Sequence, residues 1–131
     1  MSEENVEVVR AYGQAWNAAD IDAFREMHDP DVILRPATNW PEPGPYMGRD
    51  AVLDFYQRAR ETFDAEAVEL TGDFAHAADR VVARWIWHGQ GHGPESSMGF
   101  TVIYTVRNGK VRVIEFFWDH DEALEAAGLS E

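Results

Sequence analysis

Four successive runs rich in Val, Ile, Thr and aromatic residues fill positions 67–76, 80–92, 96–107 and 110–118. Runs of this composition, separated by short gaps, predict consecutive antiparallel strands. Asn108-Gly109, between the last two, is the tight-turn signal of a hairpin. What precedes them has helical period. Val6, Val9, Gly13 and Trp16, with Val8, Tyr12 and Ala15 alongside, predict a helix over 3–18. Asp20 is a good N-cap for a second, short helix carrying Ile21, Phe24 and Met27 inward, and Pro30 in the His28-Asp29-Pro30 turn is expected to end it. Residues 31–35 read as a brief strand stopped by Pro36. An irregular loop then runs over 36–48, holding four prolines and Gly44. Trp40, Tyr46 and Met47 give that loop enough apolar surface to fold back as a cover. A third helix opens at Asp50 and buries Val52, Phe55, Tyr56, Ala59 and Phe63. Asp119 with Glu122 forms a capping box for a last short helix through Ala123, Leu124 and Ala127, stopped by Gly128. Helices followed by sequential strands predict α+β, as one domain over residues 1–131.

Charge narrows the partners. Eleven basic against 24 acidic residues leave −13, which argues against nucleic acid and against docking on an anionic membrane. The chain has no cysteine, so disulfides, thiolate nucleophiles and cysteine zinc sites are excluded. The opening Met-Ser-Glu-Glu-Asn lacks the pattern of a secretory signal, and no apolar run approaches the roughly 20 residues of a membrane span. A cytoplasmic protein is expected.

Strand alternation sorts the later residues by face. Ala83, Trp85 and Trp87 share one side, as do Met98, Phe100, Val102 and Tyr104, and Ile114, Phe116 and Trp118. These bulky, uncharged sets predict the helix-facing side. The opposite side carries Ile86, Ile103 and Val113, too apolar for a solvated back, so a homodimer through the outer sheet face is expected.

Several stretches together resemble the SnoaL-like group of the nuclear transport factor 2-like and ketosteroid isomerase-like superfamily. They are Val8-Val9-Arg10-Ala11-Tyr12 through Trp16 to Phe24, Asp29-Pro30-Asp31-Val32, Tyr46-Met47-Gly48-Arg49-Asp50-Ala51-Val52, Asn108-Gly109-Lys110-Val111 and Asp119 to Leu129. The resemblance implies a cone-shaped α+β barrel: a curved antiparallel sheet wrapped on N-terminal helices around a deep pocket, with a short C-terminal helix, usually in a homodimer. It also implies that Tyr12 falls on the oxyanion-hole tyrosine of ketosteroid isomerases and Tyr56 on a supporting tyrosine. Arg35 and Val102 stand where that family has its catalytic aspartate and second oxyanion donor, which argues against steroid isomerisation. Asp119 falls on the acid/base aspartate of polyketide cyclases.

Each candidate has two readings. Asp119 is an acid/base if burial near Trp118 and Phe116 lifts its pKa, or only the N-cap of the last helix. His120 continues the face of Phe116 and Trp118 as a proton shuttle, or opens an exposed helix. His28, one turn past Phe24, pairs with Tyr12 to move a proton, or is a satisfied helix-end histidine. Arg35 points into the pocket as a fixed positive charge, or joins an ion pair. His88-Gly89-Gln90-Gly91-His92 has no evident third ligand, so no metal and no cofactor are expected. Trp16, Trp85, Trp87, Phe100, Phe116 and Trp118 are core that also presents ring edges to a ligand. Phe55, Tyr56, Met98 and Val102 extend that wall, and Trp40, Tyr46 and Met47 act as lid. The expected function is binding of a small hydrophobic molecule, with cofactor-free acid/base chemistry (isomerisation, cyclisation, hydration or hydrolysis). The alternatives are a binding or sensing module without turnover, and a dimeric interaction domain.

Overall fold

The computed structural model describes residues 2–18, 20–37, 44–63, 65–70, 74–89 and 97–128. Helices α1 (Ser2–Asn17) and α2 (Ile21–Glu26) lead into strand β1 (His28–Arg35) and the two-residue strand β2 (Tyr46–Met47). Helix α3 (Arg49–Phe63) precedes β3 (Ala65–Leu70), β4 (Ala75–Ala77), β5 (Arg80–Gly89), β6 (Ser97–Arg107) and β7 (Lys110–Phe117), and α4 (His120–Ala127) closes the described chain. No described helix is long and apolar enough to cross a membrane.

Local chemistry explains the boundaries. Asp20 caps α2 by accepting from the Ala23 N–H at 3.1 Å. Asn108 and Gly109 both take positive φ, at 53° and 75°, which is what a tight hairpin turn between β6 and β7 demands. Asp119 caps α4, and Gly128 stops it in the left-handed region at φ 76°.

The sheet runs β2-β1-β7-β6-β5-β3, with β4 paired to β5. It curves but does not close: among the described residues no pairing joins β2 to β3, so the expected barrel is an open cone. The expectation of a wholly antiparallel sheet also fails at one seam, because β1 runs parallel to β7. No hairpin links these two strands, so nothing forces them antiparallel. Pro30 lies within β1 rather than ending a helix. It sits between His28 and Ile33, where the β1–β7 register shifts, and a residue without an N–H is tolerated in such a gap. The run expected at 67–76 divides into β3 and β4, with residues 71–73 outside the described set.

The helix-facing wall is the one that alternation predicts. Val81, Ala83 and Trp85 of β5, Phe100, Val102 and Tyr104 of β6, and Ile114 and Phe116 of β7 are buried against Val9, Tyr12 and Trp16 of α1 and Val52, Phe55 and Tyr56 of α3. Trp118 departs from this wall. The last strand ends at Phe117, the chain bends toward the Asp119 cap, and Trp118 is 45% exposed.

The outer face has a partner within the chain. Ala123 and Ala127 of α4 pack on Val82 and Ile103, with Phe117 and Leu124 at the edge. Part of the apolar back expected to require a second subunit is therefore covered by α4. Ala123 is fully buried there, so Ala123→Asp should cost about 2–4 kcal/mol by burying an unpaired carboxylate. Urea unfolding checks this against Glu125→Gln on the exposed side of α4, which should stay within about 0.5 kcal/mol of wild type.

Candidate functional site

The site begins with a proton count at the α2–β1 corner. His28 is fully buried. Its Nδ1 lies 2.8 Å from the carbonyl oxygen of Phe24, a terminal α2 carbonyl that also accepts from the Met27 N–H at 3.3 Å. A carbonyl only accepts, so Nδ1 carries the ring proton. Burial lowers the His28 pKa to about 4, opposed by the hydrogen bond to Phe24 and assisted by the nearby Arg49 charge. The ring is neutral near pH 7, and Nε2 presents a bare lone pair.

The Tyr12 hydroxyl stands 2.7 Å from Nε2 and must donate into it. With that single proton committed, the 3.0 Å contact between the Tyr12 and Tyr56 hydroxyls uses the Tyr56 proton. The order is Tyr56 to Tyr12 to His28 to the Phe24 carbonyl. Burial raises the pKa of both tyrosines, Tyr12 well above its ordinary value, so both stay neutral. Arg49 holds the corner from outside, its Nη2 donating to the His28 carbonyl at 3.0 Å.

Aromatic rings surround this chain. Tyr12 meets Phe24 at 4.6 Å and Tyr104 at 5.3 Å between centroids, Trp16 meets Tyr56 at 5.5 Å, and Phe100 meets Phe116 at 5.7 Å. Such tilted and edge-on pairs fix ring positions. Gly13 lets the sheet approach α1: a Cβ there would stand 2.8 Å from Cη2 of Trp85.

Between the rings is a hollow of about 30 Å³, room for one or two waters. Tyr12, Trp16, Tyr56, Trp85, Phe100 and Phe116, all named from the sequence, line it, together with Gly13, Phe24 and Tyr104. A larger cleft of about 260 Å³ opens between α1, α2 and α3, where Ile21, Arg25 and Leu53 meet Trp16, Phe24 and Tyr56. Those last three side chains wall both spaces.

The remaining candidates lie elsewhere. Asp119 Oδ1 accepts from the Asp121 N–H at 2.9 Å, and the residue is exposed. His120 Nδ1 lies 3.1 Å from the Thr101 hydroxyl. Thr101 alternates with Phe100 and Val102, so His120 is on the outer side of the sheet, not on the cone wall. Arg35 is exposed and pairs with Glu115 at 3.5 Å. Phe55 and Val102 are buried in the core without lining the hollow, and Tyr46 packs on Phe55 at 4.9 Å. Trp40 lies outside the described residues, as do the side chains of Trp87 and Met98. Tyr12 and His28 are brought together; Asp119, His120 and Arg35 are not brought to them. Among the described residues no three His, Cys, Asp or Glu side chains converge as metal ligands.

Gly13, Phe24 and Tyr104 were not singled out as site residues. Tyr104 shared the alternation of Phe100 and Val102, which was signal enough, whereas the need for glycine at position 13 depends on where Trp85 arrives. Arg49 gave no signal, because its role runs through a backbone carbonyl.

The SnoaL-like domain model matches residues 9–114. A candidate polyketide cyclase from Sinorhizobium meliloti superposes with a TM-score of 0.69 at 22% identity, over 84% of this chain and 93% of that one. A candidate ketosteroid isomerase from Kribbella flavida gives 0.70 at 18% identity, over 90% and 79%. A protein of unknown function with a cystatin-like fold from Xanthomonas campestris gives 0.75 at 20%, over 97% and 98%. Likeness at these identities concerns the fold. No curated protein matches the sequence at a significant level.

The buried His28 makes stability fall in acid. The unfolded chain takes up the proton near 6.5 and the folded one only near 4. Between those values the unfolded state binds more protons, so stability is whole above about 6.5 and is lost as the pH drops toward about 4, by about 3 kcal/mol in all. Urea titrations between about pH 6.5 and 5, above most carboxylate titration, should show a slope approaching ~1.4 kcal/mol per unit. His28→Gln should lose that slope.

Proposed function

The chain belongs to the SnoaL-like domain family, and on that premise we propose that it binds a small apolar molecule on the aromatic wall of its cone without turning it over. The carrying observation is the closed proton chain. Tyr12 has no proton left for a developing oxyanion, because His28 takes it at 2.7 Å. The Nδ1–H of His28 is likewise engaged, by the Phe24 carbonyl at 2.8 Å. The carboxylate and cation that would supply acid/base work are at the α4 cap and in a surface ion pair. A wall of rings without an accessible ionised group suits binding better than proton transfer.

The two adjoining spaces support a route for the ligand. The hollow of about 30 Å³ is too small for a ring, while the neighbouring cleft of about 260 Å³ approaches ordinary ligand size. Trp16, near the C-terminal end of α1, stands between them, and turning its ring would join the two. One observation favours a catalytic second reading: the Tyr12–His28 contact is the geometry of a phenol facing a base. That reading requires a ligand strong enough to draw the Tyr12 proton away from His28. Self-association belongs to the proposal only over the strip of outer face that α4 leaves uncovered, around the half-buried Ile86 and Val113; a light-scattering mass of one chain would remove it.

Thermal-shift titration with indole and naphthalene tests the binding reading. Wild type should gain about 2–4 °C at saturation. Trp16→Ala should be less stable without ligand by about 3 kcal/mol and should gain more from indole, since its hollow and cleft become continuous. No saturable shift in either protein would contradict the reading. Turnover of a ligand by wild type that His28→Gln abolishes, with binding retained, would favour the catalytic one.

A further inference from the structure

Trp85 and Tyr104 carry polar groups of the aromatic wall that stand outside the Tyr12–His28–Tyr56 chain. Trp85 is 6% exposed, and its Nε1 is buried with no hydrogen-bond partner. Its polar neighbour on the same wall is the hydroxyl of Tyr104, which makes no hydrogen bond to it. Tyr104 is 3% exposed, and among the described residues its own proton has no acceptor. Both residues line the same hollow. Buried N–H groups in folded proteins are nearly always satisfied, so an orphan in a cavity wall marks a place that something else completes.

Local repacking does not relieve the orphan. The outer edge of the Trp85 ring lies against Gly13, where even a methyl would be 2.8 Å away, and its other neighbour Phe74 meets it edge-on at 6.5 Å between centroids. The indole is wedged between α1 and the sheet, so the partner has to come to it.

Two neutral donors, with the neighbouring cations already engaged, define the chemistry of that partner. Arg25 of the adjoining cleft is held by Asp50 at 2.9 Å, and Arg49 is turned to the His28 carbonyl. A carboxylate or phosphate among these rings would be desolvated without a counter-charge. An uncharged acceptor oxygen would meet both donors and leave its carbon body on the rings.

Resting on the reading that the cone binds a small molecule, we propose that Trp85 and Tyr104 form its polar grip. They donate two hydrogen bonds to a single uncharged oxygen, that of a ketone, ester or ether, on an aromatic or alicyclic ligand. The donor role that family resemblance gave to Tyr12 passes in this chain to Tyr104, because His28 holds the Tyr12 proton.

Acetophenone and ethylbenzene, similar in shape and differing in the carbonyl oxygen, test the grip by calorimetric titration. Wild type should favour acetophenone by about tenfold. Tyr104→Phe should cut that preference to about threefold or less while leaving ethylbenzene affinity within about twofold. Equal wild-type affinity for the two probes would overturn the grip and leave the cone as a binding site; so would a preference that survives Tyr104→Phe unchanged. Binding of neither probe would remove the binding reading and the grip with it. Should Tyr104→Phe fail to fold, the infrared carbonyl stretch of acetophenone bound to wild type decides. Displacement to lower frequency than in hexane is expected, and coincidence with the hexane value would overturn the proposal.

Discussion

The hydrogen bond between the Tyr12 hydroxyl and His28 Nε2 sets the terms for the rest of the molecule. It joins the middle of α1 to the corner where α2 becomes β1, through two buried side chains. In such surroundings a missing partner costs more than the bond itself contributes, so the pair is made or broken as a unit. The bond requires a neutral imidazole with its proton on Nδ1. The Phe24 carbonyl selects that tautomer by accepting from Nδ1, while burial, assisted by the Arg49 charge, keeps the ring from taking a second proton. Once α1 is fixed here, Gly13 on the next position is delivered against the sheet, and the absence of a side chain lets Trp85 close the cone.

From that anchoring follows a division of labour among three buried phenols. Tyr56 and Tyr12 direct their protons along the chain toward His28 and hold helices together. Tyr104, one strand away and 5.3 Å from Tyr12 between ring centroids, is not part of that chain. A cone of this kind changes its chemistry by changing which hydroxyl keeps a proton to offer, without altering its backbone. Here one histidine at the end of a six-residue helix makes that choice.

Much of the fold was legible because its signals are local. Asp20, Asp119 and Gly128 mark helix ends by their own hydrogen bonds and dihedrals, Asn108-Gly109 marks the hairpin, and alternation placed Trp85, Phe100 and Phe116 on the inner wall. The failures are all matters of assembly. The parallel seam between β1 and β7 joins segments far apart in sequence. Pro30 reads as a terminator until the register gap in β1 accommodates it. Trp118 obeys the alternation of Phe116 only if the strand continues, and the strand stops one residue earlier. Nothing in a linear pattern tells that α4 will fold back over Val82 and Ile103, so how much of the apolar outer face is left for a second subunit was not legible. At the site, His28 was reachable from Phe24 by counting one turn. The isolation of Asp119 from it was foreshadowed by the same capping signal that made Asp119 conspicuous.

Long-range proton–nitrogen correlation spectra of the protein labelled in its histidine rings test the proton chain most directly. The account predicts that His28 shows a protonated Nδ1 and a bare, hydrogen-bonded Nε2 at neutral pH, and that this pattern persists to about pH 5. A protonated Nε2, or an imidazolium forming near the ordinary histidine value, would contradict it, because Tyr12 would then keep its proton and be free to donate elsewhere.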